Sequence, residues 1–281
     1  MRPVCKKNQA VSGGAMNARS WPGGAGAEAW AGVPAAFRAG AALPPPWDEV
    51  FGPLRTGSTD DLVVVGQLGQ SLDGRIATNS GHSKYINCEA GLDHLHRLRA
   101  LMDAVVIGVG TALADDPQLT VRRVAGQNPA RVILDPHGRL RPNARVFAAD
   151  GTRRLVVTTP GAACAPADGV EIVRLPADNG HIAPAAVLAA LAARGLRRIL
   201  IEGGARTVSG FMSAGCLDRL HMMVAPIILG TGRAGLTLAP IERVDHALRP
   251  PTRSYPLGED VLFDCDLSAA RVPIGRAKIS T

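Results

Sequence analysis

Five short aliphatic runs constrain this chain more than any other feature. "LVVV" (62–65), "AVVI" (104–107), "VIL" (132–134), "LVV" (155–157) and "ILI" (199–201) show no alternation of apolar and polar side chains. A strand with one face in water alternates; a strand apolar at every position is covered on both faces. Helices supply the cover. "EAGLDHLHRLRALM" (89–102) sets Leu92, Leu95, Leu98, Leu101 and Met102 at helical spacing. "IAPAAVLAALAARG" (182–195) has Pro184 in its first turn and Gly195 at its end. "ARTVSGFMSAG" (205–215) predicts a further helix and "GVEIVRLP" (169–176) a further strand. "RLHMMVAPIILG" (219–230) and "EDVLFDCDL" (259–267) have no helix between them, which predicts antiparallel pairing. The predicted fold class is α/β, in three α/β/α layers, with a mostly parallel central sheet and an antiparallel C-terminal portion.

With 281 residues the chain can bury a substantial core. Its net charge is +7, but no basic block of nucleic-acid length occurs, and aromatics at 4% are too few for a base-stacking platform. No run approaches membrane-spanning length. Cys5, Cys88, Cys164, Cys216 and Cys265 are scattered and odd in number, against both a disulfide framework and a metal site. The expectation is a cytoplasmic protein that binds neither nucleic acid, membrane nor metal. Residues 1–58 are rich in Ala, Gly and Pro without sustained periodicity, which predicts a poorly ordered leader. Within it Trp47 and Phe51 are candidate anchors, and "WDEVFGPLR" (47–55) a candidate short helix. Residues 59–281 are the predicted folded domain.

Chemistry collects at the strand ends. "LIEGGARTVSG" (200–210) runs from a strand through two glycines into a helix start, whose unpaired amides suit an anion such as a pyrophosphate. An ordinary tight turn explains Gly-Gly equally well. Glu202, a carboxylate just past a buried strand, either accepts N–H bonds from a polar ring or forms a salt bridge. "VVIGVGTALADDPQLTVRR" (105–123) packs two acids and two arginines beside a strand end. Asp115 and Asp116 fit a turn cap before Pro117, or the positioning of a carboxamide or proton beside a reacting ring. In the polar loop "SLDGRIATNSGHSKYI" (71–86), Leu72-Asp73-Gly74 is a turn, Ser83 a candidate phosphate contact and Tyr85 a candidate stacking ring. Arg99 and Arg122 are candidate phosphate clamps.

"GQSLDGRIAT", "SGHSKYI", "GTALADDPQLTVR", "ARVILD", "LIEGGARTVSGFM" and "LDRLHMMVAPIILGTG" together resemble, in content and order, the reductase domain of bacterial riboflavin biosynthesis. The resemblance runs from residue 62 to the C-terminus. It implies a dihydrofolate-reductase-like fold, NADPH as cofactor, a homodimer, and reduction of 5-amino-6-(5-phosphoribosylamino)uracil at ribose C1′ to the ribitylamino product. The deaminase half usual in that family is missing, so a stand-alone reductase is expected. By position, Ser83, Arg99, Leu119, Arg122 and Glu202 match substrate contacts. Gly69, Tyr85, Thr111, Asp115, Pro136 and the run Gly204, Ala205, Arg206, Thr207, Val208, Ser209 and Gly210 match cofactor contacts. Asp115 and Glu202 are the candidate catalytic groups, and His137 or Arg139 would meet the cofactor's 2′-phosphate. Two rival readings are a reductase of this fold acting on a pterin- or dihydrofolate-like ring, and a non-catalytic nucleotide-binding module.

Overall fold

The structure is a computed structural model that describes residues 27–276. Its helices are α1 (Ala27–Ala31), α2 (Val33–Arg38), α3 (Trp47–Phe51), α4 (Glu89–Leu101), α5 (Val109–Asp115), α6 (Pro184–Ala192) and α7 (Ala205–Ser213). The strands begin with β1 (Val63–Ser71), β2 (Arg75–Thr78), β3 (Ala104–Gly108), β4 (Ala130–Leu134), β5 (Arg154–Thr158) and β6 (Glu171–Arg174). They continue with β7 (Ala177–Asp178), β8 (His181–Ile182), β9 (Arg198–Glu202), β10 (Arg219–Ala225), β11 (Gly232–Ala234), β12 (Thr252–Leu257) and β13 (Asp260–Asp266).

The five aliphatic runs lie in β1, β3, β4, β5 and β9, inside a nine-stranded sheet ordered β12-β13-β10-β1-β9-β3-β4-β5-β6. From β10 to β6 every neighbouring pair is parallel, whereas β13 pairs antiparallel with both β10 and β12. Side chains alternate between two cores. Val63, Val65 and Val105 face the side covered by α1 to α5, while Val64, Val106 and Ile201 face α6 and α7. Both faces are therefore dry, which is why these strands tolerate no polar alternation. The three-layer arrangement expected from the sequence is present.

Three features depart from expectation. The strand that holds the 104–107 run stops at Gly108, and the "VGTALAD" that follows, for which no helix was expected, is α5. The loop after β1 is not wholly irregular, because β2 pairs with β11 as a small antiparallel ribbon. The largest departure is the leader. Residues 1–26 lie outside the described residues, but 27–54 form α1, α2, α3 and a 3₁₀ turn at Gly52–Leu54. Trp30, Val33, Phe37, Trp47, Val50, Phe51 and Leu54 are buried in the same core as α4 and the sheet. Helices this short have little stability of their own. Aromatic burial holds them: Trp30 meets Trp47 edge-on at 5.2 Å and Phe51 at 5.4 Å.

That packing buries polar side chains of α4. His94 stacks on Phe51, with ring centroids 5.6 Å apart, and its Nε2 lies 3.0 Å from His221 Nδ1. His221 Nε2 is 3.3 Å from Asp264 Oδ1, and Arg219 completes the chain with two hydrogen bonds to Asp264. Burial, reinforced by the charges of His221 and Arg97 and opposed by Asp264, holds the His94 imidazole well below its ordinary 6.5. Burial, together with Arg99, Arg122 and Arg123, lowers His96 to about 3. Both rings are neutral when folded but take up a proton, once unfolded, below about pH 6.5. Their contribution to stability is therefore complete above that pH and is lost as pH falls below it. Thermal unfolding should show Tm falling from about pH 7 to about pH 5, and the His94→Leu variant, less stable at neutral pH, should fall less over the same interval.

Candidate active site

The carboxyl ends of β1, β3, β4 and β9 open together into a cavity of about 1040 Å³. Ligands of open parallel sheets bind at this edge because loops and helix starts, with unpaired backbone groups, converge there. The volume sits at the upper end of the range of small-molecule pockets, roughly 300–1,000 Å³.

One wall is the turn from β9 into α7. Gly203 has φ +89°, in the left-handed region, so the chain can reverse without Cβ strain. A Cβ on Gly204 would lie 2.9 Å from Thr111 Oγ1. That close approach lets the Gly204 N–H donate to Thr111 Oγ1 at 3.0 Å, fastening α7 to α5. The nine-residue α7 then starts at the cavity, with Gly204, Ala205, Arg206, Thr207 and Gly210 on its lining. Val208 and Ser209 point elsewhere, a correction to the expectation that the whole run lines the site. Val208 is fully buried in the core under α7, and Ser209 Oγ accepts a hydrogen bond from Thr237 N–H at 2.9 Å. Helical rotation of 100° per residue separates them from the lining face.

The floor carries Glu202, only 8% exposed. Arg99, 5% exposed, meets it side-on, Nε to Oε2 at 2.8 Å and Nη2 to Oε1 at 2.5 Å, and donates from Nη1 to Thr120 O at 3.1 Å. Glu202 thus lines the cavity and also forms the salt bridge, whereas Arg99 stands behind it and does not line the cavity. Gln67, paired with Glu202 across β1 and β9, is buried and lines the cavity too.

The two neighbouring acids separate by function. Asp116 closes α5 in the left-handed conformation at φ +38°, and its Oδ1 accepts from Arg145 N–H at 2.8 Å. Asp115 lines the cavity, where burial raises its carboxyl above the usual carboxylate range, against the opposing charges of Arg233 and Lys84. Leu119, at φ +55°, turns its buried side chain to the same cavity. Gly69, Ser83, Thr111 and Pro136 also line it.

Arg122 is exposed beside the cavity rather than in its lining. Its N–H donates to His96 Nδ1 at 3.1 Å, and Nη1 reaches Thr120 Oγ1 at 3.4 Å. Burial and then the like charges of Arg99, Arg145 and Arg123 lower its guanidinium, with Glu202 opposing. A cluster of cations so close together is suited to an anion. Tyr85, at φ +67° and 89% exposed, is not on the lining, although its neighbours Ser83 and Ile86 are. Sequence reasoning passed over Gln67, Asn87, Arg233, Asn179 and His181, all on the lining. Gln67 had a signal, an amide one glycine past the aliphatic run of β1. Arg233 had none, since only the pairing of β2 with β11 brings it near Gly81, where a Cβ would touch its Nη2 at 3.0 Å. The expected turn at Asp73 is present and doubles as an anchor: Asp73 accepts from Ser71 Oγ and from the amides of Leu229 and Gly230.

Among the described residues no helix is long and apolar enough to cross a membrane. A sequence profile of the RibD C-terminal domain matches residues 63–263. The 2,5-diamino-6-ribosylamino-4(3H)-pyrimidinone 5′-phosphate reductase of Methanothermobacter thermautotrophicus is 34% identical over 213 residues, 72% of this chain and 96% of that protein. The riboflavin biosynthesis protein RibD of Bacillus amyloliquefaciens is 36% identical over 193 residues, 66% of this chain and 49% of that protein. The crystal structure of a Thermotoga maritima diaminohydroxyphosphoribosylaminopyrimidine deaminase/5-amino-6-(5-phosphoribosylamino)uracil reductase superposes with a TM-score of 0.63 at 29% identity, covering 73% of this chain and 56% of that one. The chain spans about half the length of the Bacillus and Thermotoga proteins and nearly all of the archaeal reductase. With the profile matched across the whole nine-stranded sheet apart from the last residues of β13, the chain belongs to the RibD C-terminal domain family.

Proposed function

We propose that this chain is a reductase of riboflavin biosynthesis that uses NADPH to reduce 5-amino-6-(5-phosphoribosylamino)uracil at C1′. The carrying observation is one cavity that brings a glycine-lined helix start, two acids of different environment and a neighbouring arginine cluster together in a chain of this family. The residues fit a dinucleotide. Gly203 and Gly204 keep side chains off the wall at the start of α7, and the amides of Ala205 and Arg206 that open the helix suit a pyrophosphate. Pro136, His137 and Arg139 lie farther along the lining, where the last two would meet a 2′-phosphate. When bound, NADPH would supply the hydride that C1′ receives.

The protein's own part is alignment and protons. Opening of the sugar gives a C1′=N imine; hydride addition to C1′ and a proton to the nitrogen complete the reduction. Ser83 and Arg122 would hold the phosphate, and Leu119 and Glu202 the pyrimidine. Arg99 would act through Glu202, holding both of its carboxylate oxygens in place, rather than by touching substrate. Asp115 is the proposed proton source, because burial favours its protonated form. The same reading carries the expectation of a cytoplasmic homodimer.

A second substrate is favoured by the archaeal relatives, two of which are named for the undeaminated 2,5-diaminopyrimidinone. Purified protein should oxidise NADPH with one or both phosphoribosyl-pyrimidines and not with dihydrofolate. Arg122→Ala should raise KM for the phosphorylated substrate by about 10-fold or more, as loss of a charge-assisted contact implies. NADPH binding without turnover of any pyrimidine or pteridine would instead indicate a non-catalytic nucleotide module.

The pH profile tests Asp115. A raised carboxyl is protonated at low pH and releases its proton as pH rises, so the rate should hold on the acid side and decline on the alkaline side of that titration. Asp115→Asn should lose about 100-fold in kcat and lose that alkaline limb with it. A limb that survives in the variant assigns the proton to another donor.

A further inference from the structure

The family match begins at Val63, so α1 to α3 lie outside it, and yet they reach the site. Trp30 of α1 donates its indole N–H to Ala125 O at 2.7 Å. Ala125 belongs to the loop that follows the "DDPQLTVR" segment and carries Arg122. The other ties of that loop all run to α4 or within the loop itself. Arg122 N–H donates to His96, Arg99 donates to Thr120 O, Arg123 pairs with Asp93, and Val121 N–H donates to Asn128 Oδ1 at 2.7 Å.

The leader also grips α4 from the opposite side. The Arg97 guanidinium lies over Trp47 at 4.8 Å and over Trp30 at 5.7 Å, and Arg38 Nη2 donates to Ala100 O at 2.9 Å. Gly126, at φ +150°, brings the loop so close to α4 that a Cβ there would lie 2.4 Å from Ala100 Cβ and 3.8 Å from Pro34 of α2. Loop, helix and leader therefore form one stack, in which Trp30 touches both of the other layers. The indole hydrogen bond is the one side-chain hydrogen bond between leader and loop among the described residues; the backbone N–H groups of Arg122 and Val121 donate to α4 and to Asn128.

We propose that Trp30 is a positioning residue for binding of the substrate's phosphate: it fixes the 120–126 loop so that Arg122 stays beside the cavity. The proposal rests on the reading of Arg122 as a phosphate contact. Trp30→Phe tests it, since phenylalanine keeps an aromatic face toward Trp47, Phe51 and Arg97 but cannot donate. KM for the phosphorylated pyrimidine should rise about fivefold, the worth of one neutral hydrogen bond, with kcat and the KM for NADPH within about twofold. The 5′-hydroxyl form of the substrate, which lacks the phosphate, should show no difference between variant and wild type. Phe37→Leu, which loosens the same leader away from the loop, should lower Tm and leave KM unchanged. An unchanged KM in Trp30→Phe, or equal shifts for the phosphorylated and dephosphorylated substrates, would overturn the proposal.

Amide hydrogen exchange reads the loop without turnover. In Trp30→Phe the amides of Val121 and Arg122 should exchange faster, while those of α7 keep wild-type rates. Should the wild-type protein reduce no pyrimidine, the proposed function fails on its own. Faster exchange at these two amides, together with weaker binding of ribose 5-phosphate, would then still support the positioning role. Wild-type exchange rates at both amides would end it.

Discussion

A carboxylate at the end of a strand buried on both faces cannot remain charged alone, because stripping its water costs several kcal/mol. Glu202 occupies that position, and Arg99 makes it tenable. The paired geometry satisfies both carboxylate oxygens, and the third Arg99 donor holds Thr120 O. One ion pair thus ties β9 to α4 and to the loop that leads to Arg122. The cavity floor, the arginine cluster and the helix that supports both are fixed relative to one another through it. Removing either partner would leave the other buried and unpaired, so the two residues stand or fall together.

Much of the fold was legible because its physics is local. Unbroken aliphatic runs imply burial on both faces, and the alternation with helices implies parallel pairing. The β9–α7 turn was legible for the same reason: two glycines before a helix start describe their own geometry. Which neighbour needs those glycines was not legible, since Thr111 is brought to Gly204 only by the sheet order β9-β3. Asp115 and Asp116 show the limit from the other side. Adjacent identical residues cannot be told apart by composition, but the left-handed backbone at Asp116 commits one to closing α5 and leaves the other at the cavity. Tyr85 fails as a stacking ring by its placement. Its backbone is left-handed, as is that of Leu119, yet only Leu119 is on the lining, and sequence position says nothing about either.

In the leader the anchors Trp47 and Phe51 and their short helix were read correctly, but the order of the segment from 27 onward was missed, for a different reason. Its Ala, Gly and Pro content dilutes the aromatic residues, and helices of 5, 6 and 5 residues are too short to show periodicity. What orders the segment is tertiary: Trp30, Phe37, Trp47 and Phe51 are all buried against elements far along the chain. Composition counts residues; it does not see that the few large ones converge.

Helix α4 explains why such a cover is needed. An ordinary surface helix has one apolar stripe and one wet face, but α4 buries polar side chains in several directions. His94 meets His221, His96 accepts from Arg122, Arg99 holds Glu202, and Arg97 lies between two tryptophans. Each of these groups costs free energy to bury unless something specific receives it. The family domain supplies receivers for three of them. The fourth receiver, the aromatic pair over Arg97, comes from residues that precede the family domain, together with the Phe51 ring that closes over His94. The leader is therefore part of the solvation of α4, and α4 is what holds the charged end of the site. A segment that looks like filler in sequence contributes to the electrostatics of the cavity by keeping water from the back of the helix that shapes it.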